Sequence, residues 1–83
     1  MIRAKFQVTE IKKSMTMLKS KDGAYVKTEI NEVTLNPVTT GSKENEEFFA
    51  WTPSGKITIG ATKEVGFELD KEYYVDFTKA EPI

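Results

Sequence analysis

The chain opens on a strict alternation. Ile2, Ala4, Phe6 and Val8 fall on one face, and Arg3, Lys5, Gln7 and Thr9 on the other. A period of two with apolar residues on one side predicts a half-buried strand. The parity then shifts to Ile11, Met15 and Met17, which predicts a β-bulge or bend. Lys19-Ser20-Lys21-Asp22-Gly23 is a turn, because Asp-Gly supplies the positive φ of a hairpin. A second long strand follows. Val26, Thr28 and Ile30 share a face, Val33 and Leu35 continue with the opposite parity, and a second bulge near Asn31-Glu32 would reconcile the two runs. Asn36-Pro37 weakens pairing at its end.

Residues 39–47 (TTGSKENEE) are polar and aperiodic, which predicts a surface loop. Phe48 to Thr52 reads as a third strand, closed by a tight Thr52-Pro53-Ser54-Gly55 turn. Lys56 to Ala61 is the fourth, with Ile57, Ile59 and Ala61 inward. Thr62 is placed to cap one helical turn over residues 63–65. After a turn at 69–72, Tyr73 to Thr78 forms the fifth strand, with Tyr73, Val75 and Phe77 on one face. Two long bulged strands and at most one short helical turn predict an all-β domain. A small five-stranded barrel of the oligonucleotide-binding type is one plan, and a sandwich is the other.

Composition changes this picture little. The 83 residues make one domain, 1–83, with a thin core. Nine aromatic residues supply most of the core material, and a homo-oligomer would enlarge it. There is no cysteine and no histidine, so neither disulfides nor thiolate metal sites are available, and a reducing cytoplasm fits. No apolar run approaches the roughly 20 residues of a membrane span.

Charge is more informative. Residues 1–28 carry seven cations and two anions, and residues 29–83 carry five cations and eleven anions. Either the two halves pair their charges across neighbouring strands, or the first half presents a basic surface to an anionic ligand.

Catalysis has no obvious equipment. Histidine, the usual base near neutral pH, is missing, and Ser54 has no evident base beside it. Asp70, Glu72 and Asp76 could pair as acid and base, but a solvated strand face explains them as well. Glu44, Glu46 and Glu47 lack the spacing of a calcium loop. No metal, no cofactor and no enzymatic activity are therefore expected.

Binding residues are easier to nominate. Arg3 and Lys5 lie on an exposed strand face, and Tyr25 and Lys27 face outward by the parity that turns Val26 and Thr28 inward. Trp51, Thr52, Ser54 and Lys56 surround one turn. Cations neutralise phosphate, rings stack on bases, and hydroxyls with turn amides take phosphate oxygens. Each residue also has a plainer role. Trp51 can be a core or interface anchor, and Tyr25 and Tyr74 can be cross-strand packing partners.

Three stretches resemble a group of small tailed-phage proteins. They are Glu44-Asn45-Glu46-Glu47-Phe48, Trp51-Thr52-Pro53-Ser54-Gly55-Lys56, and Lys71-Glu72-Tyr73-Tyr74-Val75-Asp76-Phe77-Thr78, joined by the opening Arg3-Ala4-Lys5-Phe6. The likeness spans most of the chain. Asp70 and Lys79 depart from it, standing where the group has glycine and proline. The resemblance implies a phage-encoded protein in the host cytoplasm and a compact β fold, and it assigns no catalytic residue.

Three binding functions are compatible with these features, and the missing catalysts, the phage resemblance and the modest net charge favour the first. The first is a sponge that sequesters a nucleotide-like small molecule, such as a host immune signal, as a homo-oligomer. Arg3, Lys5 or Lys56 would hold phosphate and Trp51 or Tyr25 would stack on the base. The second is a single-stranded nucleic-acid binder on an oligonucleotide-binding barrel, which the acidic balance disfavours and the basic first segment supports. The third is a virion or protein-interaction module. No membrane partner is expected.

Overall fold

A computed structural model describes residues 2–62 and 66–82. Four antiparallel strands form one open sheet: β1 (Ile2–Lys19), β2 (Tyr25–Pro37), β3 (Ile57–Thr62) and β4 (Glu72–Phe77), in the spatial order β3-β2-β1-β4. A short helix, α1 (Lys43–Phe48), lies between β2 and β3. The fold is mostly β, as the alternation predicts. The sheet does not close: β3 and β4 are opposite edges, so no barrel seam pairs them.

β1 is the hub. Its first half pairs with β4 from Ile2↔Phe77 to Gln7↔Glu72, and it pairs with β2 from Phe6↔Pro37 to Lys19↔Tyr25. The predicted bulge falls between Val8 and Glu10. It turns Ile11 to the same side as Ala4, Phe6 and Val8, so the buried face continues across the irregularity. The hairpin turn also forms. Gly23 sits at φ 90, Ser20 Oγ donates to the Asp22 carboxylate, and that carboxylate accepts from the Ala24 amide at 3.0 Å.

The second predicted bulge is not formed. The register from Asn31↔Lys13 to Val33↔Ile11 runs without a shift. Val26, Thr28 and Ile30 therefore lie on the face opposite Val33 and Leu35. Tyr25 and Lys27, placed outward by the sequence reading, lie on the side that becomes the core face further down the strand. The apparent parity change arises because β2 leaves one environment for another. On the turn side of Ile30, where the pairing with β3 ends, the β1–β2 hairpin continues as a two-stranded arm, and among the described residues nothing is packed on either of its faces.

The core lies on one side of the sheet. Ala4, Phe6, Val8, Val33 and Leu35 are buried, with Ile11, Phe49, Ile57, Phe67, Tyr73 and Val75 packed around them. Ile57, Ile59 and Ala61 do share the core side of β3 through their partners Leu35, Val33 and Asn31. Phe67 and Tyr73 meet edge to face at 5.3 Å, and the Tyr73 hydroxyl accepts from the Glu68 amide. The other side of the sheet is open and polar. The resulting molecule is only 17 Å thick in its shortest dimension and 47 Å in its longest.

The stretch 43–48 corrects two expectations, since helix replaces the end of the predicted loop and the start of the predicted third strand. Ser42 is the N-cap, accepting from the Asn45 amide, and Glu44 and Glu46 stand in the first turn, where the helix dipole favours anions. Residues 49–52 are bends rather than strand, which reduces the strands from five to four. The helical turn expected at 63–65 lies outside the described residues.

Asn45 fixes α1 to the sheet. β2 stops at Pro37, and Val38 gives its amide to the Lys5 carbonyl at 3.0 Å. Beyond that point Asn45 takes over the ladder. Its Oδ1 accepts from the Lys5 amide at 2.7 Å, and its Nδ2 donates to the carbonyls of Lys5 at 2.7 Å and Val38 at 2.8 Å. With the residue 1% exposed, every polar atom of this side chain is satisfied, as burial demands.

Candidate functional site

The residues nominated from the sequence separate into three places. Arg3 and Lys5 stand on the open face of β1, with Tyr74 of β4 between them. The Arg3 guanidinium lies 4.8 Å and the Lys5 ammonium 5.4 Å from the centre of its ring, within cation–π range. Both cations have carboxylate partners. Arg3 Nε donates to Asp76 Oδ1 at 2.7 Å and its NH2 to Oδ2 at 3.0 Å, while Lys5 Nζ is 3.7 Å from Glu72. The hydrogen bonds from Arg3 hold the Asp76 carboxyl below its ordinary range and raise the guanidinium in turn. This is cross-strand charge pairing in register, Arg3↔Asp76 with Tyr74 opposite Lys5. A phosphate arriving here would compete with carboxylates already in place.

Trp51, Thr52, Ser54 and Lys56 lie on the connection between α1 and β3. Trp51 is 92% exposed, so it is neither a core anchor nor enclosed by its own chain. Gly55 at φ 131 allows the sharp redirection into β3. Close by in sequence, Phe48 stacks on Phe77 at 5.8 Å and meets Phe49 edge-on at 4.8 Å, so Phe48 and Phe49 secure α1 and leave Trp51 outside.

Tyr25 stands at the tip of the arm, opposite Lys19. At about 3.3 Å per residue along β1, it is tens of ångströms from Arg3. A single chain therefore does not bring Tyr25, Trp51 and Arg3 to one ligand.

The arm itself is the feature that residue-by-residue nomination missed. From Lys12 to its direct partner Glu32 the hairpin carries Lys12, Lys13, Lys19, Lys21 and Lys27 against Asp22, Glu29 and Glu32, a net +2 in a chain of net −1. The two ion pairs formed among the described residues, Arg3–Asp76 and Lys5–Glu72, both lie in the body. Direct partners show how its faces divide. One face holds Lys13, Met15, Met17, Lys19, Tyr25, Lys27 and Glu29. The other holds Lys12 and Glu32 at its base and, beyond them towards the tip, Ser14, Thr16, Leu18, Val26, Thr28 and Ile30 without a charge. Met15, Met17, Leu18, Tyr25 and Val26 are all exposed by more than two-fifths. The arm's signal in the sequence is the run of apolar residues in both parities between Ile11 and Ile30, a pattern that a second bulge would also produce.

Cavities are small or open. One of about 40 Å³, room for roughly one water, is lined by Ile11, Asn31, Val33, Ala61 and Phe67. The buried Asn31 Oδ1 has no hydrogen-bond partner among the described residues. A shallow groove of about 300 Å³ runs between Arg3 and α1, lined by Ile2, Glu44, Glu47 and Phe48. Its two carboxylates do not suit an anion. Among the described residues no three acidic side chains converge as a metal site, and no helix is long and apolar enough to cross a membrane.

Comparison of the chain with protein-family models, with curated proteins and with solved structures gives no match. Function is therefore read from the geometry alone.

Proposed function

We propose that this is a non-enzymatic binding protein that holds single-stranded nucleic acid along the lysine-and-tyrosine face of its arm. The observation that carries the reading is the placement of Lys13, Lys19 and Lys27 beside exposed Tyr25, Met15 and Met17 on one side of a ribbon. The paired cations of the body contribute no comparable field. Lysines track a phosphate backbone and a ring accepts a base. An extended ribbon suits a strand better than a compact molecule, which needs walls. The resemblance of its sequence to tailed-phage proteins supports a role for such a protein in the infected host's cytoplasm.

The test is a fluorescence-anisotropy titration of a labelled single strand across a salt series. Affinity should fall steeply with salt, with each lost phosphate contact lowering the log–log slope by about 0.7. Tyr25→Ala should weaken binding by about 1–3 kcal/mol, and Lys27→Ala should flatten the slope. Absence of binding at low salt, or binding indifferent to both substitutions, would overturn the reading.

The nucleotide sponge remains the second reading, supported by the exposed Trp51 beside Thr52, Ser54 and Lys56. That half-site would need a second copy to enclose a ligand. Salt-insensitive quenching of Trp51 fluorescence by a mononucleotide, with no single-strand affinity, would favour it.

A further inference from the structure

The charge-free face of the arm is a different surface from the one assigned to nucleic acid. Ser14↔Ile30, Thr16↔Thr28 and Leu18↔Val26 are direct partners on it. Leu18 is 43% and Val26 51% exposed. Thr16, Thr28 and Ile30 beside them are half-buried, and a face of β-branched and aliphatic residues held in register with Leu18 and Val26 exposed is built to pack on something of like character. Its two ends differ. At the tip, in the turn, stands Lys21, while the nearby Asp22 carboxylate is occupied by Ser20 and Ala24. At the base, on the same open face, stand Glu10 and Glu32, with Lys12 directly opposite Glu32. None of these three forms an ion pair among the described residues.

We infer that this face is a self-association surface, and that its occupant is the same face of a second copy with the arm running the opposite way. A twofold interface must be self-complementary. An uncharged centre satisfies that condition, whereas the lysine-bearing face would set like charges together. Reversing the second arm lays the cationic tip of each copy over the acidic base of the other, with the Thr16–Thr28 pair near the axis. Side chains of two stacked ribbons meet at a sheet spacing of about 10 Å. The face is smaller than the roughly 800 Å² per partner of a standard interface, so the dimer should form at micromolar rather than nanomolar concentration. Both lysine-and-tyrosine faces then point outward, on opposite sides of the dimer.

Sedimentation equilibrium of the full chain tests this. Wild type should show a concentration-dependent monomer–dimer equilibrium. Val26→Lys should remain monomeric at all concentrations while melting within a few degrees of wild type, because Val26 lies outside the core. Met17→Lys, on the other face, should dimerise like wild type. Lys21→Glu and Glu32→Lys should each dimerise at least tenfold more weakly alone, and a mixture of the two should recover the dimer, since each tip then meets an opposite base. A wild type that stays monomeric would overturn the inference. So would a dimer that survives Val26→Lys or is abolished by Met17→Lys, or a mixture that recovers nothing. These readouts are independent of nucleic-acid affinity, which Tyr25→Ala tests without touching this face.

Discussion

Asn45→Ala should be among the most damaging single substitutions in the chain, although Asn45 sits in its most polar stretch. Truncation removes three hydrogen bonds to backbone: from the Lys5 amide, and to the carbonyls of Lys5 and Val38. The Lys5 carbonyl keeps the Val38 amide at 3.0 Å. The Lys5 amide and the Val38 carbonyl lose the partner described for them. Leaving a buried polar backbone group unsatisfied costs about 1–3 kcal/mol. Two such groups, eased by any water that enters the vacated space, give roughly 2–4 kcal/mol. That is a large share of the 5–15 kcal/mol typical of a domain. At about 4–8 °C per kcal/mol for a chain this size, the melting temperature should fall by at least about 8 °C. Ser42→Ala, which removes only the helix cap, should cost about 1 kcal/mol. Asn45→Asp separates hydrogen bonding from volume. It keeps the acceptor for the Lys5 amide but points its other oxygen at two carbonyls. Its carboxyl pKa should rise on folding, so this variant should be least stable at neutral pH and recover as pH falls. Thermal melting followed by circular dichroism at two pH values measures all three. A loss of less than about 3 °C for Asn45→Ala would refute the role given to this side chain.

Three further outcomes follow from the same geometry. Trp51→Ala should change stability by no more than about 0.5 kcal/mol, because the ring is 92% exposed; a large loss of melting temperature would show that the ring packs on something. Asp70 is at φ 70, where an ordinary L-residue costs about 1–2 kcal/mol. Asp70→Ala should therefore destabilise more than Asp70→Gly, although both lose the Gln7 Nε2 bond to the carboxylate; equal melting temperatures would contradict the strain. Asp76 and Asp22 are held below the ordinary carboxyl range by hydrogen bonds from Arg3 and from Ser20 and Ala24. Their contribution is present above an unfolded pKa of about 3.9 and is lost as pH falls through the lower folded values. Melting temperature should thus be flat from about pH 7 to 5 and decline below about pH 4, with a weaker acid decline in Asp76→Asn.

Much of the fold was legible because period-two patterning is local. The β1 alternation, the Val8–Glu10 bulge, the Asp22-Gly23 turn and the core sides of β3 and β4 follow from it directly. Two departures have causes that local patterning does not carry. Val26, Thr28 and Ile30 were assigned inward on the assumption that every apolar face is buried, and an arm with two solvent-facing sides violates that assumption. At residues 43–47, which read as loop, and Phe48, which reads as the start of a strand, polarity hides the helix. Its only local mark is Ser42 ahead of Glu44 and Glu46, and no local pattern announces that Asn45 will complete a strand ladder forty residues away. Of the nominated residues, Arg3 and Lys5 are paired with Asp76 and Glu72 as the plainer reading of the charge asymmetry required. The pairing depends on which strand neighbours β1, which one sequence does not state.

The long hairpin also bears on the order in which the chain assembles. Its turn joins Lys19 to Tyr25 across a handful of residues, so zipping can begin there at small entropic cost. The β1–β4 pairing joins Ile2 to Phe77. Closing a loop of that length costs about 2 kcal/mol more than closing the hairpin turn, on the logarithmic scaling of loop entropy. The arm, which contributes nothing to the buried core, is thus the segment able to form first. The body then condenses on its lower half, and capture of β4 by β1 is the late step that completes the sheet.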